Sequence, residues 1–300
     1  MLLNVFANNI LPPLLIVAAG FVLERTMGVD PRSLTRVTVY VFMPALIIGS
    51  LIDTKVAAGE FAQIALFVIL YTGSMWGMGQ VVTRLLRFDR RLSNAFLLST
   101  LFGNCGNLGL AVVLFAFGPE GLERALAFFV VSSLLTHTLA AFFASRGTAS
   151  IGQSIANVFK LPMIYAAALA LAVRVLGLGV PAALMRTIDL PRAGAIPLMQ
   201  LLLGVQLAGT SRRLNLRFVG SATAVQQIAG PLIAVALGAA MGLGGLTRSV
   251  CIVQAGMPSA VNALIYAIQF GSHPEEVGGV VFCSTLSSAV TLTVLVALLG

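Results

Sequence analysis

Apolar residues come in long runs along this chain, and polar residues are confined to the gaps between them. Ten runs stand out, at roughly 5–23, 34–52, 61–83, 93–117, 121–144, 156–177, 194–210, 218–244, 247–270 and 276–299. Each is long enough to cross a hydrocarbon core of about 30 Å, which takes roughly 20 helical residues. The pattern predicts ten membrane-spanning helices and no strand. Residues 181–193 break it, because Ala182, Leu184, Met185, Ile188 and Leu190 alternate with Arg186, Asp189 and Arg192. That mixture reads as an amphipathic helix lying in the interface.

Two runs are interrupted at membrane depth. The fourth contains Gly103-Asn104-Cys105-Gly106-Asn107-Leu108-Gly109, and the ninth contains Gln254-Ala255-Gly256-Met257-Pro258. Irregular backbone at that depth is tolerated only where protein or a watery cavity surrounds it. A pair of interrupted segments, one in each half, points to the binding site of a secondary transporter.

The halves look related. Leu11-Pro12 returns as Leu161-Pro162, and Asn104 is followed by Gln254, both at an offset of 150 residues. Met43-Pro44 resembles Ile196-Pro197 at an offset of 153. Five spans per half is an odd number, so the second half starts from the opposite side of the membrane. The expectation is an inverted repeat, with residues 1–146 as the first half, 147–155 as a cytoplasmic joint and 156–300 as the second half.

Composition agrees with a membrane protein: 58% of residues are hydrophobic and 9% charged, against roughly 25% charged in soluble domains. A net charge of +8 would suggest nucleic acid in a soluble chain. Here the basic residues sit in short loops and act as topology signals, so no nucleic-acid partner is expected, only the lipid bilayer. With the N-terminus outside, inner loops hold 12 Lys and Arg and outer loops hold 6. Both termini are therefore expected on the extracytoplasmic side. Arg25 is the first basic residue, so the first run lacks a signal peptide's basic start and reads as a mature span. Cys105, Cys251 and Cys283 all lie in apolar runs and make no disulfide or metal-ligand pattern.

A helix broken at mid-membrane exposes backbone N–H groups, and each new N-terminus has about +0.5 of a charge. Two such ends near each other form an anion seat of about +1. Asn104, Asn107, Gln254 and Asn262 add neutral amides and are the candidate substrate ligands. Gly103, Gly106, Gly109, Gly256 and Pro258 are the candidate break and crossover residues. The same Gly-x-x-Gly spacing also serves close helix packing, and Asn also bonds helices together. The recurrence in both halves favours the site.

All ten acidic residues fall at or near span ends, from Glu24 to Glu276. His137 is the one ordinary titratable group inside a span, either a proton relay or a hydrogen-bonded packing residue. Gln200, Gln206, Gln226 and Gln227 read as cavity-lining or interhelical groups, and Tyr266, Tyr71 and Trp76 as packing or interface residues. No His-Glu-x-x-His, intramembrane Asp pair, Gly-x-Ser-x-Gly elbow or P-loop occurs, so neither an enzyme nor an ATP-driven pump is expected.

These motifs, together with Val41-Phe42-Met43-Pro44-Ala45-Leu46 in the second span, resemble those of the auxin efflux carrier family. The likeness is to its bacterial branch of malonate and malate permeases, and it covers essentially the whole chain. It implies a ten-helix, five-plus-five fold related to sodium/proton antiporters and bile-acid symporters. Spans 1, 2, 6 and 7 would form a scaffold, and spans 3–5 and 8–10 a moving transport domain. Substrate would sit where spans 4 and 9 cross. The family has a proline two residues after the last fourth-span glycine, where this chain has Ala111. The break is therefore expected to rest on Gly106, Asn107 and Gly109, and to be gentler.

The expected function is transport of a small organic anion, a mono- or dicarboxylate, by alternating access in a bacterial inner membrane. No cofactor is expected. Moving one negative charge inward against 100 mV costs about 2.3 kcal/mol, so uptake would need a proton or sodium ion, and the residues leave that choice open. A passive anion channel and a non-transporting membrane sensor are the alternatives. A homodimer through the scaffold follows only by analogy of fold.

Overall fold

A computed structural model describes residues 1–144, 161–210 and 215–300. The expected joint at 147–155 and the basic residues Arg146, Lys160, Arg212 and Arg213 lie outside the described residues. Among the described residues the chain is helical, without strands. Seven of its helices are long and apolar enough to cross a membrane, and Pro162–Val175 is a shorter apolar helix.

We number the helices α1 (Leu2–Met27), α2 (Pro31–Asp53) and α3 (Ala58–Leu85), then α4 (Arg90–Leu101) and α5 (Leu110–Ala144). The second half contains α6 (Pro162–Val175), α7 (Ala182–Ala208), α8 (Leu216–Ala240), α9 (Gly245–Ala255), α10 (Val261–Phe270) and α11 (Pro274–Leu299). Helix α5 is two arms: Gly118 takes φ +66° and ψ −165°, and Pro119 follows it. A left-handed φ suits glycine, and proline favours the first turn of the next arm.

Polar residues in the gaps start the helices. Asp30 accepts hydrogen bonds from the backbone N–H of Arg32 and Ser33, and Asp89 accepts one from Leu92. Arg25 donates to the Ala208 carbonyl at the end of α7, and Arg217 to the Leu86 carbonyl after α3. Cations there complement the negative helix ends. At other helix ends Arg124 pairs with Glu60 at 2.7 Å and Arg192 with Asp53 at 2.6 Å.

Four short π-helical turns punctuate the helices, at Phe6–Ile10, Thr38–Phe42, Cys105–Gly109 and Val225–Ala229. Pro12, Pro44 and Pro231 each stand two residues after one of them. A proline lacks the N–H and crowds the carbonyl four residues back, and a π turn relieves both. Ala111 occupies the same place after Cys105–Gly109, so that turn forms without a proline.

Helix α1 packs along α7, and α2 lies against α6 and α7. The α1–α7 contact is glycine-on-glycine at Gly20 and Gly204, both buried. Helix α9 packs on α5 and α8, and α11 on α8 and α10. The expected interfacial helix at 181–193 is not separate. It is continuous with the seventh run as α7, with Pro191 and Pro197 inside. Residues 182–190 stay largely exposed, Leu190 at 79%, which is the part the sequence marks as amphipathic.

Candidate functional site

The two interrupted segments meet. Helix α4 stops at Leu101 and α9 at Ala255, and both chains run extended for a few residues before α5 and α10 begin. Gly103 and Ser259 form an isolated antiparallel bridge. The Asn104 N–H donates to the Pro258 carbonyl at 2.7 Å, and the Ala260 N–H to the Phe102 carbonyl at 2.7 Å. Backbone groups released by each break are thus satisfied by the other, which lets irregular chain exist in the protein interior.

The break in the first half falls at Phe102, Gly103 and Asn104, so of the three candidate glycines Gly103 lies in it. Phe102 is extended at φ −110° and ψ 97°, and Asn104 takes φ −77° and ψ 53°. Gly106 and Gly109 lie in the π turn that follows, closed by the Gly109 N–H on the Asn104 carbonyl at 3.0 Å. Their lack of a side chain serves packing. A Cβ on Gly106 would strike the Phe129 ring, and one on Gly109 would strike the Gln254 amide. In the second half Gly256 ends α9 and Pro258 lies in the extended stretch, where the sequence puts them.

A cavity of about 290 Å³ opens beside this crossover, at the lower end of ligand-pocket volumes (~300–1,000 Å³). One wall is Gly103 to Asn107 with Ala260, Val261 and Asn262. These are the starts of the helices that resume after each break, so both positive ends border the same space. The other walls are Thr35 and Thr38 from α2, Ser132, Ser133, Thr136 and His137 from α5, Met163 from α6, Gln206 from α7 and Tyr266 from α10. No Lys, Arg, Asp or Glu lines it among the described residues.

Asn104, Asn107 and Asn262 are brought together on the cavity. Asn104 is 4% exposed, and its side-chain Nδ2 has no partner among the described residues. Asn107 is half-buried and Asn262 exposed. Gln254 is not in the lining. It is fully buried behind the crossover, with both amide atoms unpartnered among the described residues, against Gly109 and beneath Cys105, whose Sγ donates to the Gln254 carbonyl at 3.5 Å. Orphaned buried amides at such a place are the sort that ordered water satisfies.

His137 Nδ1 lies 2.6 Å from the Tyr266 Oη. Gln226 Nε2 donates to the Met257 carbonyl at 3.0 Å, and Gln227 holds Ser284 and Ser287 on α11. These two glutamines brace the crossover from α8, the interhelical role expected of them. Gln206 lines the cavity, the other role. The hydroxyls of α2 and α5 were not singled out by sequence. Threonine and serine in helices satisfy themselves on the carbonyl four residues back, as Thr38 does on Leu34 at 2.8 Å, so nothing local marks them.

A compensation experiment checks the Gly109–Gln254 contact. Beyond its overlap with Oε1, a Cβ at Gly109 would stand 3.1 Å from Gln254 Cδ and 3.2 Å from Met257 Cγ. Gly109→Ala is expected to lower thermal stability in detergent by about 1–3 kcal/mol. Adding Gln254→Ala should restore a large part of it. Strictly additive losses would show that the two residues do not touch.

With the geometry in place, comparison with known proteins is decisive. The family described as "Membrane transport protein" matches residues 5–157 and 146–296. The chain belongs to that family, the auxin efflux carrier family its motifs resemble. An uncharacterized transporter of Methanothermobacter thermautotrophicus is 25% identical over 291 residues, 95% of each chain. Another, from Methanocaldococcus jannaschii, is 24% identical over 272 residues, 87% of each chain. The chain is thus a multi-pass membrane transport protein.

Proposed function

We propose that this transporter is a secondary carrier that moves a small organic anion, a mono- or dicarboxylate, by alternating access. The observation that supports this most is the convergence of two helix N-termini and three asparagines on one cavity that lacks any fixed charge among its described lining residues. An anion there is neutralised by dipoles and amides rather than by a guanidinium. Such a seat grips a carboxylate without the tight ion pair that would slow its release. With about +1 available from the two ends, a single carboxylate suits it better than two.

In this reading the membrane is crossed ten times. The first arm of α5 completes the span begun by α4, its second arm is the fifth span, and α9 with α10 make the ninth. The halves, 1–146 and 156–300, are an inverted repeat. Helices α1, α2, α6 and α7 form the scaffold, and α3–α5 with α8–α11 the moving part. Support comes from the packing of α1 on α7 and of α2 on α6 and α7. The cavity takes walls from α2, α6 and α7 on one side and from α5, α10 and the crossover on the other. A site on such a boundary can be carried past a fixed scaffold. The Lys and Arg distribution supports both termini outside an inner membrane, and analogy of fold supports a homodimer through the scaffold. Uptake against the membrane potential needs a co-transported H+ or Na+.

Counterflow in proteoliposomes tests the reading. Vesicles preloaded with unlabelled malonate, malate, succinate, lactate or indole-acetate should take up the labelled counterpart saturably. Fast unsaturable leak would make the protein a channel. Saturable binding with no flux would make it a sensor.

A further inference from the structure

The His137–Tyr266 pair is not among the amides proposed to seat the carboxylate, yet it faces the same cavity. Their rings stand at 85° with centroids 6.1 Å apart, and the 2.6 Å bond ties α5 to α10. Helix α10 begins at the crossover itself, four residues before Tyr266 comes Asn262, and one residue before His137 comes Thr136. A bond so placed joins the substrate wall to the neighbouring helix.

Few other groups there can hold a proton. Among the described lining residues the titratable ones are His137 from α5, Tyr266 from α10 and Cys105 from the π turn. Helices α2, α6 and α7 present Thr35, Thr38, Met163, Leu202 and Gln206, none of which titrates. Arg36, next to Thr35, is exposed and outside the lining. Imidazole is the one side chain here whose ordinary affinity for a proton falls in the physiological range.

We infer that His137 is the proton-binding site that couples anion movement to the proton gradient, one proton with each monoanion. This rests on the carrier reading above. The 2.6 Å contact is met by either tautomer; we assign the neutral ring the one in which Nδ1–H donates to Tyr266 Oη, which leaves the lone pair on Nε2. Nε2 takes one proton from water on the acidic side and gives it back to water on the other. No other bond forms or breaks, and the Tyr266 bond is kept throughout. The loaded cavity then holds imidazolium and carboxylate together. Its net charge is that of the empty neutral state, so the membrane potential no longer opposes entry.

The test uses proteoliposomes of the full chain with the potential clamped at zero. The probes are labelled malonate, malate, succinate, lactate and indole-acetate, with protein-free vesicles as the control for passive entry of the free acids. A gradient of one pH unit, acid outside, should accumulate the exchanged anion about tenfold, since one unit per proton is a factor of ten. In His137→Gln, which retains an amide for Tyr266, the final accumulation ratio should fall to the protein-free value at whatever rate counterflow proceeds. Tyr266→Phe should retain accumulation, with its pH dependence displaced.

Tenfold accumulation by His137→Gln, with the protein-free vesicles well below it, would overturn the inference and leave the carrier standing. So would accumulation driven by a sodium gradient at equal pH. If His137→Gln fails to exchange at all, the wild type decides through a pH dye trapped in the vesicles. One proton entering per anion supports the inference, and anion entry without protons ends it. Absence of counterflow in the wild type would instead remove the carrier reading itself.

Discussion

Asn104→Ala is expected to weaken anion exchange sharply while the protein still folds and inserts. The backbone of Asn104 holds the crossover: its N–H donates to the Pro258 carbonyl at 2.7 Å and its carbonyl accepts from Gly109 at 3.0 Å. Alanine makes both bonds equally well, so the break should survive. What goes is the side chain, 4% exposed, whose Nδ2 has no partner among the described residues. On the carrier reading, this buried amide, at a helix start beside the cavity, is the donor that an entering anion draws on. A hydrogen bond to a charged group contributes about 1.5–3 kcal/mol, so its loss should weaken half-saturation about ten- to hundredfold. Asn104→Asp should do worse, because it sets a carboxylate against the anion. Counterflow at several anion concentrations, with melting in detergent as the folding control, measures both. Wild-type half-saturation in Asn104→Ala would move the anion seat away from the first break, to Asn107 or Asn262.

Where the apolar helices break was legible in the sequence, and direction around each helix was not. The two breaks could be found because glycine, proline and amides have no ordinary reason to sit in mid-membrane. The turn between the arms of α5 could be found too, since the gap after Phe117 contains Gly118 and Pro119. Gln254 is expected from the sequence among the substrate ligands, yet its amide faces Gly109 and lies outside the cavity lining. That distinction depends on helix phase after an irregular turn, which no periodicity fixes. The exact place of the first break was hidden for a similar reason. Phe102 and Gly103 are extended because Ser259 and Ala260, more than 150 residues away in sequence, offer them partners. A local reading offers Gly103, Gly106 and Gly109 alike, and the small size of the last two turns out to admit Phe129 and Gln254. The absent family proline also proved dispensable, since the Gly109–Asn104 backbone bond closes the π turn without it.

Gly204→Val is expected to be the most damaging change in the chain for stability. A Cβ at Gly204 would overlap the Val17 carbonyl oxygen and stand 2.6 Å from the Phe21 nitrogen and 2.9 Å from the Gly20 Cα. From the other side, a Cβ at Gly20 would overlap the Leu201 carbonyl oxygen and come within 2.8 Å of the Leu201 carbonyl carbon. Every one of these neighbours is backbone. A side chain could turn away, but backbone yields only if α1 and α7 part. Close approach of small residues is what holds helices together in lipid, where no hydrophobic force acts between them. Separation would forfeit dispersion along the whole seam, beyond the ~1–3 kcal/mol of ordinary overpacking. Gly73 offers the contrast, since nothing lies within 4 Å of a Cβ built there. Gly73→Ala should be neutral or stabilising by up to about 1 kcal/mol. Melting in detergent should therefore separate the two variants widely, with Gly204→Val recovered poorly or aggregated. Equal melting would mean that α1 and α7 do not meet at these glycines. The cavity wall that α7 supplies through Leu202 and Gln206 would then have to be redrawn, because those residues flank Gly204 and are set in place by the same contact.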